Sequence, residues 1–257
     1  MSKVLITGSA DGLGRLAAQQ LVSGGHEVVL HARDGARARD AMAAVPGAAD
    51  VLVGDLASIS AVRGVAHAAS AVGPLDAVIH NAAVGYRGPR VETVDGLAHV
   101  FAINVLAPYL LTALLTGPRR LVFLSSGMHR GGDPDLSDLQ WRRRQWSGTQ
   151  AYADSKLFDV VLALAAARRR PGVLSNAVEP GWVPTKMGGP GAPDDPELGA
   201  DTQAWLAVSD DPGATVTGRC FHHRREVAPA PAAARVDVQD GLLDACADLT
   251  GVAFPAA

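Results

Sequence analysis

Cysteine is scarce in this 257-residue chain: Cys220 and Cys246 are the only two, and their spacing matches no ligand motif. That argues against a disulfide framework and against a zinc site, so no metal is expected and the thiols are read as reduced. Charge of one sign is scarce too. With 23 Lys and Arg against 26 Asp and Glu the formal balance is -3, which gives no electrostatic case for a nucleic-acid partner. Aromatic residues make up 5%, and the Arg142 to Arg144 run does not alternate with rings as a single-strand platform would, so it reads as a solvated face. Long apolar runs are missing as well. The first stops at Thr7-Gly8, too short for a secretory segment or a membrane span, and the expectation is a cytoplasmic protein.

What is present is a repeating alternation of short apolar runs with helical periodicity. Val4 to Ile6, His26 to Ala32, Asp50 to Gly54, Leu75 to His80, Arg119 to Leu124 and Gly172 to Val178 read as strands. Helices are expected after the first glycine turn, near Gly35, over Ser58 to Val72, Val91 to Thr116 and Gln150 to Arg170, near Ala200 to Val208, and over Val238 to Leu249. Strands alternating with helices imply a parallel α/β sheet, wound on both faces, as one domain over residues 1–257. A short strand at Arg219 to Phe221 completes the sheet. Val227 to Ala234 reads as a linker, and the Gly- and Pro-rich stretch 186–198 as a lid over a substrate.

Ligands in such sheets lie beyond the carboxyl ends of the strands, and the first strand ends in Thr7-Gly8-Ser9-Ala10-Asp11-Gly12-Leu13-Gly14. Glycines between a strand and a helix allow a tight turn and close approach of a pyrophosphate to free N–H groups. The second strand ends in Ala32-Arg33 instead of a carboxylate. A guanidinium there suits a 2′-phosphate and favours NADP over NAD, with Asp34 read as a helix cap. The third and fourth strands end at Asp55-Leu56 and at Asn81-Ala82-Ala83. His80 reads as packed, and Asn104 as a buried amide needing partners.

The fifth strand delivers Ser125-Ser126, and the helix after it carries Tyr152 and Lys156. Residues four apart share one helix face, and an ammonium beside a phenol favours the phenolate and lowers its pKa. That makes Tyr152 a general acid or base.

These elements, with Pro180-Gly181-x-Val183-x-Thr185, together resemble the classical short-chain dehydrogenase/reductases over nearly the whole chain. The insert containing Asp138-Leu139-Gln140 and the Ser155-Lys156-Leu157 context are similar to the retinol dehydrogenase and WW-domain oxidoreductase subgroup. The resemblance implies a Rossmann fold and hydride transfer between nicotinamide and a carbonyl or alcohol carbon of a small molecule. Tyr152 would exchange the proton, Ser126 would bind the substrate oxygen, Lys156 would hold the nicotinamide ribose, and Asn104 would hold a water. Gly8, Ser9, Gly12, Leu13 and Gly14 would line the pyrophosphate, Asp55 and Leu56 the adenine, Asn81 and Ala82 the adenosine ribose side, and Pro180, Gly181, Val183 and Thr185 the carboxamide side. Trp182 is bulky for its position. Pairing into a homodimer or homotetramer would run through the helices beginning near Val91 and Gln150. The alternative to an enzyme is a regulator that binds NADP(H) and does little chemistry.

Overall fold

A computed structural model describes residues 1–255. Eight strands form one sheet in the order β3-β2-β1-β4-β5-β6-β7-β8. They are β1 (Lys3–Ile6), β2 (Glu27–Ala32), β3 (Asp50–Val53), β4 (Ala77–His80), β5 (Arg120–Leu124), β6 (Leu174–Glu179), β7 (Cys220–His222) and β8 (Arg225–Val227). All neighbours pair parallel except β7 with β8. The chain runs outward from β1 to β3, then crosses back to β4 on the other side of β1. That reversal opens a crevice at the carboxyl ends of β1 and β4.

Successive strand side chains point to opposite faces, and both faces are covered. Leu5, Val29, Leu121 and Phe123 join one core, against α3 (Ile59–Ala71), α5 (Ala107–Leu114), α6 (Gly148–Arg169) and α8 (Val236–Thr250). Val4, Ile6, Val28, Leu30, Val122 and Leu124 join the other, against α1 (Gly12–Ser23), α2 (Gly35–Ala44) and α7 (Pro196–Val208). The doubly wound Rossmann-type sheet is therefore as expected.

Four local expectations are corrected. The helix read from Val91 starts only at α4 (His99–Phe101), because Gly96 takes a left-handed backbone (φ 73°) and Glu92 bridges Ala98 in an extended turn. Between α4 and α5 the helix widens to a π-turn over Ala102–Leu106, just before Pro108, which has no N–H to donate. Helix α7 begins at Pro196, inside the stretch read as a lid, with the Asp195 carboxylate capping it and the proline at its first position. Val227 belongs to a strand and not to a linker: His223 and Arg224, both at positive φ, form a two-residue hairpin turn between β7 and β8.

The Arg142 to Arg144 run is not merely a solvated face. The backbone N–H groups of Arg142, Arg143 and Arg144 all donate to the Asp138 carboxylate, at 2.8, 3.0 and 3.0 Å. The Arg144 guanidinium stacks 3.9 Å over Trp141 and pairs with Asp154 on α6 at 3.2 Å. The insert thus forms a knot fastened to the helix that carries Tyr152.

Candidate active site

The turn after β1 is shaped by backbone crowding. Gly8 has φ +64°, and a Cβ there would lie 2.8 Å from the Ala82 Cα. A Cβ on Gly14 would lie 2.4 Å from the Asn81 side-chain nitrogen. Asn81 Nδ2 donates to the carbonyls of Thr7 and Gly8 at 3.0 and 3.1 Å, so it braces the turn from behind. Thr7 Oγ1 accepts the N–H groups of Asn81 and Ala82. No side chain caps the N-terminus of α1, which leaves the free N–H groups and the positive end of the helix dipole for an anion. Only glycine at positions 8 and 14 fits this cradle. The donor set suits the pyrophosphate of a dinucleotide.

Other residues singled out in this region divide. Ser9, expected to line the pyrophosphate, is instead fully buried: its hydroxyl is bonded to the Ile6 carbonyl at 3.0 Å and to the His31 N–H at 2.9 Å, and its own N–H donates to the His31 carbonyl at 3.2 Å, which ties the turn to β2. Leu56 is buried in the core while Asp55 stays exposed, its carboxylate accepting the Ala57 N–H. Leu13 lies near Gly199, and a Cβ on Gly12 would lie 3.7 Å from the Thr185 side chain, which borders the crevice. Pro180 and Val183 are buried beside them, and the Gly181 turn has φ +89°. Asp34 caps α2 by accepting the Arg37 N–H at 2.8 Å, as read, and its other oxygen takes Arg33 Nε at 3.2 Å, the Arg33 side chain staying 73% exposed at the end of β2.

Two residues here escaped the sequence reading. His31, inside β2, accepts the Gly8 N–H at Nδ1 and reaches the Gly54 carbonyl through Nε2, at 3.1 and 2.9 Å. It ties the glycine turn to the end of β3, and burial depresses its pKa. Asp11 takes Arg37 at 2.6 Å and Lys186 at 2.8 Å, so the stretch after β6 is clasped onto the start of α1. Neither position carries a pattern that local sequence would flag.

Beyond β5, Ser125 and Ser126 separate in role. Ser125 is buried and donates to the Lys156 carbonyl at 2.7 Å, fixing the helix. Ser126 caps a 3₁₀ turn over Gly127–Gly131, and its hydroxyl lies beside the Tyr152 phenol, favouring the phenolate. Tyr152 packs edge-on against Tyr86 with ring centroids 5.5 Å apart, and Lys156 Nζ sits 5.7 Å from its ring. Ser126, Tyr152 and Lys156 therefore converge.

The expected depression of the phenol pKa is not what results. Burial raises it and outweighs Lys156, and a further carboxylate, Asp159, pushes the same way as burial. Lys156 Nζ donates to the Leu124 carbonyl and to Asp159 Oδ2, both at 2.7 Å. Helical spacing from Lys156 to Asp159 was the available signal for this partner. Asn104 is satisfied within the protein: Oδ1 accepts the Val84 N–H at 2.8 Å, and Nδ2 donates to the Val84 carbonyl and to Ser155 Oγ. It pins the loop after β4 to α6.

A cavity of about 370 Å³ lies beside this centre, lined by Val84, Tyr86, His99, Trp146, Lys186 and Met187 among others. Trp182 does not fill it. Its ring is 56% exposed, with Nε1 donating to the Gly188 carbonyl.

Among the described residues one cluster has metal-ligand composition, His129, Glu179 and Cys220. Both His129 nitrogens are engaged, Nδ1 with the Ser126 carbonyl at 2.7 Å and Nε2 with the Ala230 N–H at 3.1 Å. Both Glu179 oxygens face Arg130, at 2.8 and 2.9 Å. Burial and Glu179 push the Cys220 thiol up to about 12, so it stays protonated. The cluster is a satisfied polar network behind Ser126.

Residues 2–122 match the family model described as short chain dehydrogenase. The full chain is 42% identical over 260 residues to the short-chain dehydrogenase chyC of Penicillium rubens, covering all of both chains. It is 32% identical over 286 residues to human retinol dehydrogenase 13, covering 98% of this chain and 85% of that one. The fold is similar to a crystal structure of a protein from Mycobacterium paratuberculosis, with a TM-score of 0.87, 28% identity and 99% and 95% of the two chains covered.

Proposed function

The chain belongs to the short-chain dehydrogenases and is an oxidoreductase, and from that premise we propose that it is NADP-dependent and interconverts a carbonyl compound and its alcohol, with Tyr152 as general acid and base. The observation that carries this is the meeting of Ser126, Tyr152 and Lys156 beside a cavity, at the end of the sheet where the glycine cradle opens.

The cofactor, when bound, supplies or accepts the hydride. Backbone N–H groups at the start of α1 would hold its pyrophosphate, and the exposed Arg33 guanidinium, which meets Asp34 only through Nε, would take a 2′-phosphate with its remaining donors. Lys156 would hold the nicotinamide ribose. In the reducing direction Tyr152 Oη gives its proton to the carbonyl oxygen, which Ser126 Oγ holds in place. The phenolate left behind is stabilised by the Lys156 ammonium and regains a proton from solvent. Oxidation runs the same proton the other way.

NADPH fluorescence is expected to shift on binding more than NADH fluorescence, and equal responses would remove the NADP assignment. Tyr152→Phe is expected to lower turnover by about 10²-fold or more while NADPH binding persists. Unchanged turnover in that variant would refute the mechanism. One observation favours the regulatory alternative: Lys156 Nζ is already bonded to Asp159 and Leu124. Retained NADPH binding with no turnover across a panel of aldehydes and ketones would support it.

A further inference from the structure

A carboxylate stands one helical turn beyond the lysine, and no part of the proton chemistry above uses it. Asp159 and Lys156 side chains are each 3% exposed and meet at 2.7 Å. A lone ammonium buried at that depth would carry an uncompensated charge; the adjacent carboxylate makes the pair neutral. The pair also lies on the helix that carries Tyr152, so whatever charge it shows is felt by the phenol.

We propose that Asp159 is a positioning residue that neutralises Lys156 above neutral pH, opposes ionisation of the Tyr152 phenol there, and so poises the site for carbonyl reduction. This rests on the oxidoreductase reading above. The charges around the phenol support it. From α6 itself Lys156 favours the phenolate and Asp159 opposes it; Tyr86, from the loop after β4, also opposes it, and the Ser126 hydroxyl at the end of β5 favours it. On the packed 3₁₀ turn and β6, Arg130 and Glu179 pair with each other, and His129 is bonded to the Ser126 carbonyl. On α8, Cys246 is held protonated by burial, and Asp240 pairs with Arg168 at the far end of α6. Among the described residues Asp159 is the one charged group in contact with the Lys156 ammonium, whose other bond goes to the neutral Leu124 carbonyl.

Burial raises the Asp159 carboxyl to about 7, the adjacent ammonium pulling it back only in part. At the alkaline pH where a phenol beside an ammonium ionises, Asp159 is a carboxylate and its opposition is in force. Removing it leaves Lys156 unopposed and favours the phenolate. Reduction needs the protonated phenol, so its kcat/KM is level at low pH and falls as pH rises through the phenol pKa. Oxidation shows the mirror profile.

The test is Asp159→Asn, which keeps a carbonyl acceptor for Nζ and deletes the charge. The midpoint of the kcat/KM profile is expected at lower pH than in the parent protein in both directions, with alcohol oxidation at alkaline pH gaining relative to reduction. A profile superimposable on the parent's would overturn the proposal. A second measurement needs neither turnover nor a folded variant at position 159. Phenolate absorbance near 295 nm is titrated from pH 6 to 9 in the cofactor-free protein and in Tyr152→Phe. The two curves are expected to coincide below pH 8, and phenolate present there only in the parent would overturn the proposal. Absence of turnover alone would count against the oxidoreductase reading and leave this titration intact.

Discussion

Single side chains in this site are held by neighbours that tolerate little change. Gly14→Ala would drive a methyl against Asn81 and the Gly8 carbonyl, at 2.4 and 2.6 Å from ideal positions. The expected result is a loss of about 1–3 kcal/mol in urea unfolding, with weaker NADPH binding because Asn81 can no longer brace the turn. His80 illustrates a different constraint. It is fully buried against Phe123, bonded to Thr112 through Nε2, and its Nδ1 has no partner. Burial pulls its pKa down to about 3. The unfolded chain binds a proton near the ordinary histidine value of about 6.5, so between these limits the unfolded state holds more protons and stability falls as the pH drops. His31, also depressed by burial, acts in the same direction. Urea midpoints measured at pH 7.5, 6 and 5 should fall more steeply in the parent protein than in His80→Leu; parallel slopes would contradict this origin.

Helix α6 is the element on which the chemistry depends, and its surroundings explain why it can present Tyr152 and Lys156 together. Residues Ala151 to Ala163 are buried without interruption, with Ala151, Ala153, Ser155 and Ala163 small enough to let neighbours approach closely. Its N-terminus is capped by Ser147 and steadied by the Asp138 knot through Arg144 and Asp154. Asp138→Ala would strip the acceptor from three backbone N–H groups at once. A loss of about 1–3 kcal/mol is expected for groups so abandoned, together with a lowered kcat as α6 loses its brace. Thermal unfolding and steady-state rates check both, and a change in neither would show the knot to be incidental.

At the scale of the whole molecule, α6 is covered within its own chain by α8, the 3₁₀ turn at Pro231–Ala234 and the insert before it. Among the described residues, Ala151 to Ala163 leave no exposed face for a second copy, so pairing through this middle stretch is not expected. Light scattering checks this: a mass that doubles the 26.5 kDa of one chain and is lost on substitution along Ala151 to Ala163 would contradict it. The sheet itself was readable from residues alone, because buried parallel strands are short apolar runs and each ends in a residue suited to the crevice. The glycine cradle and the Tyr152 and Lys156 pair were readable too, since each is a local pattern whose spacing fixes its geometry. The β7–β8 hairpin was hidden, because its turn uses His223 and Arg224 in a conformation that Asn or Gly would normally signal. The helix start at His99 and the Asp138 knot were hidden for a related reason: both rest on backbone partners that sequence does not name. The sequence by itself determined the fold and the family. Tertiary structure alone decided the sign of the Tyr152 shift, because burial and the Asp159 carboxylate together outweigh the lysine, and burial exists only once the chain has closed around them.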